Sequence, residues 1–460
     1  MNQNNTNHKV VTVVDIGTTK IVVLIGEKEN NQVFRILGFS YVTSKGVRRG
    51  NVVNIISTVE SIKKAISIAE EQANVKVSNV YVGIAGQNIR TIVNSTKIVR
   101  QNANEIVTKK EIEDLIKQQF LIPVNHDEKI LEVIPKYICI DDNDIQNIDE
   151  LIGCIGKEII IKFNIVIAKQ QNIKSIENCI ENAGLKLNRI FLEPLASSRA
   201  VLYQDEINKG VVMIDIGGGT SDLAIYYKGM LLHTAVIPFG GNVITNDIEK
   251  SFNLTYEDAE YLKKNFAQAI VVNEEESKQL VINNKIEEKE PTIIDSNLLA
   301  KIVNARMEEI LGFIDDEITN ISGIKNKSTF DVVVTGGGSM LKYLNQLIKY
   351  QLSMDARVGY PNIYLKKDVS KNFINPQFST AIGLMMLAWE EAYETKDHKP
   401  FDKYGINESL EKTQQNSVNR KIPKDETTEV KKEEKKDVKS KKSKLINIFS
   451  DIFKNTDTEL

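Results

Sequence analysis

The 460-residue sequence holds only three cysteines, Cys139, Cys154 and Cys179, an odd number set far apart. They supply neither a disulfide framework nor a CxxC pair, and a reducing cytoplasm is the expected compartment. Histidine is as scarce: His8, His126, His233 and His398 stand alone, without HExxH or another ligand spacing, so no histidine metal centre is expected. Net charge is nearly absent too. Lys and Arg number 59 against 62 Asp and Glu, a formal charge of -3, which argues against a dedicated nucleic-acid binder. No apolar run approaches the ~20 residues of a spanning helix, Ala381 to Trp389 being the longest near candidate. Met1 to His8 is polar and lacks a signal-peptide core, so no part of the chain is expected to cross a membrane.

What is present is an ordinary globular balance, 42% hydrophobic and 26% charged, with length for two to four domains. The segment from Val10 to Glu27 reads as strand, tight turn, strand, with Asp15-Ile-Gly17-Thr18-Thr19-Lys20 between two β-branched runs. Two hundred residues later Gly210 to Tyr227 repeats that grammar around Asp215-Ile-Gly217-Gly218-Gly219-Thr220-Ser-Asp222, so the chain reads as two related halves. Helical patterns at Thr58 to Ala73 and Gln171 to Ala183 alternate with these strands and predict an α/β architecture. Residues 85–163 and Thr245 to Ile324 read as insertions, the first with an acidic loop at Asp141 to Asp149 and a strand-like Glu158 to Ile167, the second mostly helical.

An Asp at a strand end, followed by Gly and small hydroxyl residues, suits phosphate chemistry. Glycine lets the backbone approach, successive N–H groups form an anion nest, and the carboxylate can hold magnesium through water. One such turn is also a common hairpin; two copies could close on one nucleotide from opposite sides. A third element, Asp331-Val-Val-Val-Thr335-Gly336-Gly337-Gly338-Ser339, is a buried strand entering a triple-glycine turn and a helix, Leu341 to Leu352, where a flat base or ribose could lie. No GxxxxGK[ST] occurs, and the turns lead into strands rather than helices, so neither a P-loop nor a Rossmann site is present.

In this order the motifs resemble the actin, seventy-kilodalton heat-shock chaperone and sugar-kinase superfamily. Phosphate-1 is Asp15 to Lys20, connect-1 Leu192 to Ala200, phosphate-2 Asp215 to Asp222, adenosine Thr335 to Ser339 and connect-2 Ser379 to Leu384. Val80-Tyr-Val-Gly-Ile-Ala-Gly86, Leu195-Ala-Ser-Ser198 and His233 to Ile248 make the resemblance nearest to the bacterial cell-division family FtsA, over roughly residues 10 to 390 and the extreme C-terminus.

That resemblance implies an α/β, actin-like (ribonuclease H-like) two-domain fold with a nucleotide cleft. Subdomain 1A would comprise 9–84, 164–208 and 376–395, subdomain 1C 85–163, subdomain 2A 209–245 and 328–375, and subdomain 2B 246–327. It implies ATP with magnesium as ligands: Asp15 and Asp215 facing the metal through water, amides of Gly17 to Thr19 and Gly217 to Thr220 around the phosphates, and Lys20 against their charge. Gly336, Gly337 and Gly338 would meet the adenosine, while Glu260 and Lys263, three residues apart on one helical face, would touch ribose and base, an ordinary salt pair being the alternative. Glu193 stands where the chaperones carry a water-orienting acid. Arg306 matches a basic position that contacts the tail of the tubulin-like partner FtsZ, with Lys301 and Asn304 nearby. Filaments of the chain with itself and later division proteins are further expected partners.

Beyond Glu394 the composition changes. From Glu411 to Lys444 only Val418, Ile422, Val430 and Val438 are aliphatic, which predicts a disordered linker, 396–443, with a reach of roughly 40 Å. Lys431 to Lys444 carries eight Lys against two Glu and one Asp, net +5, enough to attract anionic lipid. On a helical wheel Leu445, Ile446, Ile448, Phe449, Ile452 and Phe453 then occupy an arc of roughly 160°. Residues 444–455 are expected to lie in a membrane interface, docking on the protein's own core being the alternative; the family resemblance implies the cytoplasmic side of the inner membrane, at the division septum. The leading expectation is a membrane-anchored, actin-like division protein with at most slow ATPase activity. The alternatives are a rod-shape or pilus-assembly relative and a metabolite kinase.

Overall fold

The computed structural model describes residues 9–29, 33–271, 277–282, 291–321, 324, 327–366 and 373–394. The apolar run Val11–Ile16 forms a strand buried at every position. It pairs antiparallel with Lys20–Lys28 on one side and parallel with Asn79–Ile84 on the other. Phe34–Thr43 and Lys186–Leu192 complete a five-stranded sheet, in the order Lys186–Leu192, Asn79–Ile84, Val11–Ile16, Lys20–Lys28, Phe34–Thr43. Side chains of successive strand residues point to opposite faces. Val14, Ile16, Ile21 and Val23 therefore pack on Val59, Ile62 and Ile66 of the helix Ile55–Ala73, whereas Val11, Val13, Val22 and Leu24 face a second core.

The second half repeats this plan. Val211–Ile216 pairs antiparallel with Ser221–Tyr227 and parallel with Asp331–Thr335, and Met230–Ile237 and Ala356–Val358 lie at the edges. One face of this sheet packs on the helices Gly241–Phe252, Tyr256–Phe266, Ser296–Asp316 and Leu344–Leu352. The other face, through Val211, Met213, Ala224 and Val333, enters the same core as Val11 and Val13. The helices Glu193–Val201 and Ser379–Trp389 also contribute to that core and lie between the two sheets. This explains the apolar run near Trp389: nine of its helix's eleven residues are buried, since a helix covered on all sides is apolar all round. No helix among the described residues is long and apolar enough to cross a membrane.

An additional four-stranded sheet, ordered Ile89–Val99, Glu158–Lys169, Glu128–Ile140, Asn143–Ile145, interrupts the first half. The helix Lys109–Gln119, started by the Thr108–Glu111 capping box, buries Ile112, Leu115 and Ile116. Glu158–Lys169 is paired on both edges and runs through residue 163, where composition places a boundary. Two further differences from the pattern reading occur. The helix expected from Leu341 starts at Leu344, because Tyr343 is left-handed at φ 63° and separates it from the 3-10 turn Gly337–Met340. The stretch expected to be mostly helical contains an antiparallel pair, Gln279–Ile282 with Thr292–Asp295.

Candidate functional site

The two repeated turns face each other. A Cβ added to Gly218 would overlap Thr19 Oγ1, and one added to Gly219 would overlap Thr18 Oγ1. Only glycine leaves room for the two Thr side chains against the facing turn. The second turn is fixed from behind: Gly241 N–H donates to Gly217 O at 2.9 Å and Asn242 N–H to Gly218 O at 2.8 Å. The first is fixed by Gly50 N–H, which donates to Thr18 Oγ1 at 3.0 Å. Between and beyond them opens a cavity of about 1150 Å³. Asp15, Gly17, Thr18, Thr19, Lys20, Glu193, Asp215, Gly217, Gly218, Gly219, Thr220, Glu260, Lys263, Gly336, Gly337 and Gly338 all line it.

Its floor is an acid cluster. Asp15 and Asp215 are each the last residue but one of their strands, and burial raises both carboxyls, Asp15 to about 7 against the opposing pull of Lys20. Hydrogen bonds from Ser197 and Thr380 oppose the rise at Asp215. Glu193, first residue of its helix, is pushed well above the carboxylate range by withdrawal from water and then by Asp15, Asp222 and Asp215. Lys20 is lowered to about 8, burial outweighing its acidic neighbours. Its ammonium donates to Gln377 Oε1 at 3.3 Å and lies 4.9 Å from the Phe378 ring centre.

Asp222 also lines the cavity, and it is not among the residues expected there. It is 4% exposed and directly opposite Asp215 in the antiparallel register, an arrangement that costs stability. Burial and then Asp215 push its carboxyl well up, and its Oδ1 is buried without a hydrogen-bond partner. The signal was available: a hairpin turn of this length opposes residues seven apart, and both are acids. Ser197 and Thr380 were hidden for a different reason. They reach Asp215 from helices distant in sequence, so no local spacing exposes them.

On the opposite wall Glu260 and Lys263 form an ion pair at 2.6 Å that also engages the cavity rim. Lys263 Nζ donates to Gly241 O at 2.9 Å and to Thr245 Oγ1 at 2.7 Å, and Thr245 Oγ1 donates to Glu260 Oε2 at 2.6 Å. Burial lowers the Lys263 ammonium, whereas Lys263 holds Glu260 below its ordinary value despite burial. Gly336, at φ +80°, abuts Asp215, and a Cβ there would overlap Asp215 Oδ1. Among the described residues no three His, Cys, Asp or Glu side chains converge closely enough to hold a metal ion directly.

The three expected partner residues lie away from this cavity, on the helix Ser296–Asp316. Arg306 makes a bidentate pair with Asp247, Nε to Oδ2 at 2.5 Å and Nη2 to Oδ1 at 2.9 Å, and also contacts Glu309. It borders a second concavity of about 370 Å³, shared with Asp247, Lys250 and Ile302. Asn304 Nδ2 donates to Ala269 O at 2.8 Å, and Lys301 is exposed. The linker 396–443 and the amphipathic segment from Leu445 to Phe453 lie outside the described residues.

Comparison with known proteins gives the same architecture a lineage. A family model described as cell division protein FtsA matches residues 212–383. The FtsA of Neisseria meningitidis serogroup B is 35% identical over 380 residues, covering 83% of this chain and 90% of that protein. The chain belongs to the FtsA family. The Escherichia coli K12 FtsA is 31% identical over 83% of this chain and 90% of its own length. A second family model, type IV pilus assembly protein PilM, matches residues 13–276. A solved PilM-PilN type IV pilus biogenesis complex superposes with a TM-score of 0.59 at 16% identity, over 82% of this chain and 98% of that one. MreB5 of Spiroplasma citri bound to ADP gives 0.51 at 13% identity, over 85% and 99%. These two likenesses establish the actin-like fold, and the FtsA relatives establish an actin-like protein of cell division.

Proposed function

We propose that this FtsA-family chain binds ATP with magnesium in the cleft, assembles with copies of itself and holds the FtsZ ring on the cytoplasmic face of the inner membrane, where later division proteins join. The observation that carries the nucleotide is the closure of two glycine turns, one from each half, over buried acids and the unpartnered Asp222 Oδ1. Buried carboxyls this close repel one another unless a cation or protons intervene. The donor set fits magnesium held through its waters, by Asp15 and Asp215. The amides of the two turns would take the phosphates, Lys20 would offset their charge, and Glu260, Lys263 and Gly336 to Gly338 would receive the nucleoside. Magnesium supplies charge neutralisation at the phosphates. Glu193, which lines the same cavity and feels the charge of the same cluster, would orient water in hydrolysis that is slow at most.

Membrane attachment rests on the segment from Leu445 to Phe453 and the lysines before it, and FtsZ contact on the Arg306 concavity. Electron microscopy on anionic lipid monolayers with ATP, with and without FtsZ, tests the reading. Filaments at the lipid and recruitment of FtsZ are expected; a folded protein that forms neither overturns it.

A further inference from the structure

Two hydroxyls from two different helices converge on one oxygen of Asp215. Ser197 Oγ donates to Oδ2 at 2.5 Å, Thr380 Oγ1 donates to the same oxygen at 3.0 Å, and the hydroxyls are 3.1 Å apart. Ser197 is fully buried on Glu193–Val201, and Thr380 is half-buried on the cavity wall at the start of Ser379–Trp389. These helices touch at Ala196 and Gly383, where an added Cβ would overlap the Ala196 carbonyl, so little slack separates them. The neighbouring Ser198 shows the alternative: its hydroxyl bonds back to Pro194 O at 2.7 Å inside its own helix, the common recourse of a buried helical serine. Ser197 is turned instead toward a carboxylate of the other half. With Oδ2 gripped, Oδ1 is left on the side of Gly336, whose missing side chain keeps it open to the cavity.

We propose that Ser197 and Thr380 are positioning residues of the nucleotide site, clamping Asp215 Oδ2 so that Oδ1 is presented to the hydrated cation of a bound nucleoside triphosphate. This rests on the magnesium-nucleotide reading above. A carboxylate restrained by two donors keeps one orientation, whereas a free one samples others and holds hydrated metal less tightly. The clamp acts on cation affinity, and contacts to the nucleoside are made by other residues.

The test uses the full chain, a fluorescent ATP analogue and a magnesium titration. Thr380→Val and Ser197→Ala are each expected to need about ten-fold more magnesium for half-maximal analogue binding, the scale of one hydrogen bond to a charged group. Analogue affinity in EDTA should stay at the parent's level, because the clamp acts on the cation and not on the nucleoside. Thr380→Ser and Ser197→Thr, which keep the hydroxyl, should restore the magnesium requirement. If Ser197→Ala does not fold, the half-exposed Thr380 pair of variants carries the test alone. A parent-like magnesium curve in Thr380→Val, an equal loss with and without magnesium, or failure of Thr380→Ser to rescue overturns the proposal. If the parent binds no analogue at any magnesium concentration, or Asp215→Asn leaves the magnesium requirement untouched, the nucleotide reading itself falls and takes the clamp with it.

Discussion

Gly218 and Thr19 belong to different halves of the chain, yet Gly218 lies so close to Thr19 Oγ1 that a methyl group on it would overlap that hydroxyl. The site is therefore assembled by apposition of two sheets, and its geometry depends on their separation. Gly218→Ala should force the turns apart, at a cost of about 1–3 kcal/mol to the apposed state. Nucleotide affinity should fall at least ten-fold while circular dichroism stays unchanged, since neither sheet core is touched. Isothermal titration with ATP and magnesium measures this, and unaltered affinity would show that the two turns do not act together.

Stability of the nucleotide-free protein should fall as pH rises from about 4 to about 7. Asp15 has its carboxyl raised from 3.8 to about 7, chiefly by burial. The folded state then binds more protons than the unfolded state between those values, so the stabilising contribution is complete below the unfolded value and lost as pH rises through the folded one. Asp215, Asp222 and Glu193 are raised too and act in the same direction. Glu128, held at about 2 by Arg90, contributes oppositely, but its window lies below 4.5. Thermal midpoints measured across this range, with and without ATP and magnesium, check the sign. The nucleotide complex should show a flatter profile, and a midpoint that climbs from pH 4 to 7 in the free protein would contradict the acid cluster.

Much of this site was legible because its chemistry is local. Asp15 and Asp215 each stand at the end of a buried strand before a glycine turn, and a hairpin turn leaves little freedom in where they point. Asp222 needed register as well as pattern, and Ser197 and Thr380 needed tertiary structure, because the helices that carry them meet only when the two sheets enclose them. In the fold, the strand grammar of the two halves was readable from β-branched runs. The end expected for the first insertion, residue 163, falls within a strand that belongs to one sheet along its whole length, and residue types alone do not show where that strand stops. Arg306 illustrates a further gap: its position on a helix was evident, but its bidentate hold on Asp247 joins residues 59 apart.

That hold shapes the second concavity. Asp247 and Glu309 keep the Arg306 guanidinium at the groove edge, where an acidic peptide could share its remaining donors. Arg306→Glu should remove binding of an FtsZ C-terminal peptide, and it places three acids together, so the thermal midpoint should also drop by a few degrees. Fluorescence anisotropy of the labelled peptide, alongside a melt, separates the two effects. Retained peptide affinity in a folded variant would move the partner site elsewhere.

The C-terminal segment is tested through its apolar face. Phe449→Glu puts a charge at the centre of that face, and sedimentation with anionic vesicles should be lost while ATP binding is kept. A variant that still sediments would show that the lysines of 431–444 suffice, or that another surface meets the lipid.

Asp15→Asn separates the two consequences of crowding acids around Lys20. Removing one carboxylate relieves repulsion on Asp215, Asp222 and Glu193, all raised by their neighbours or by burial. The nucleotide-free variant should be more stable than the parent by roughly 1–2 kcal/mol at pH 8, as expected where function keeps a strained site. The gain should shrink toward pH 4, where Asp15 is already protonated in the folded parent. At the same time the magnesium dependence of ATP binding should weaken or vanish. Urea denaturation at the two pH values, paired with a magnesium titration of nucleotide binding, measures both. A variant that loses stability at pH 8 would mean that the Asp15 carboxylate is a net structural asset, satisfied within the fold, and the case for a cation between the two halves would lose its electrostatic basis.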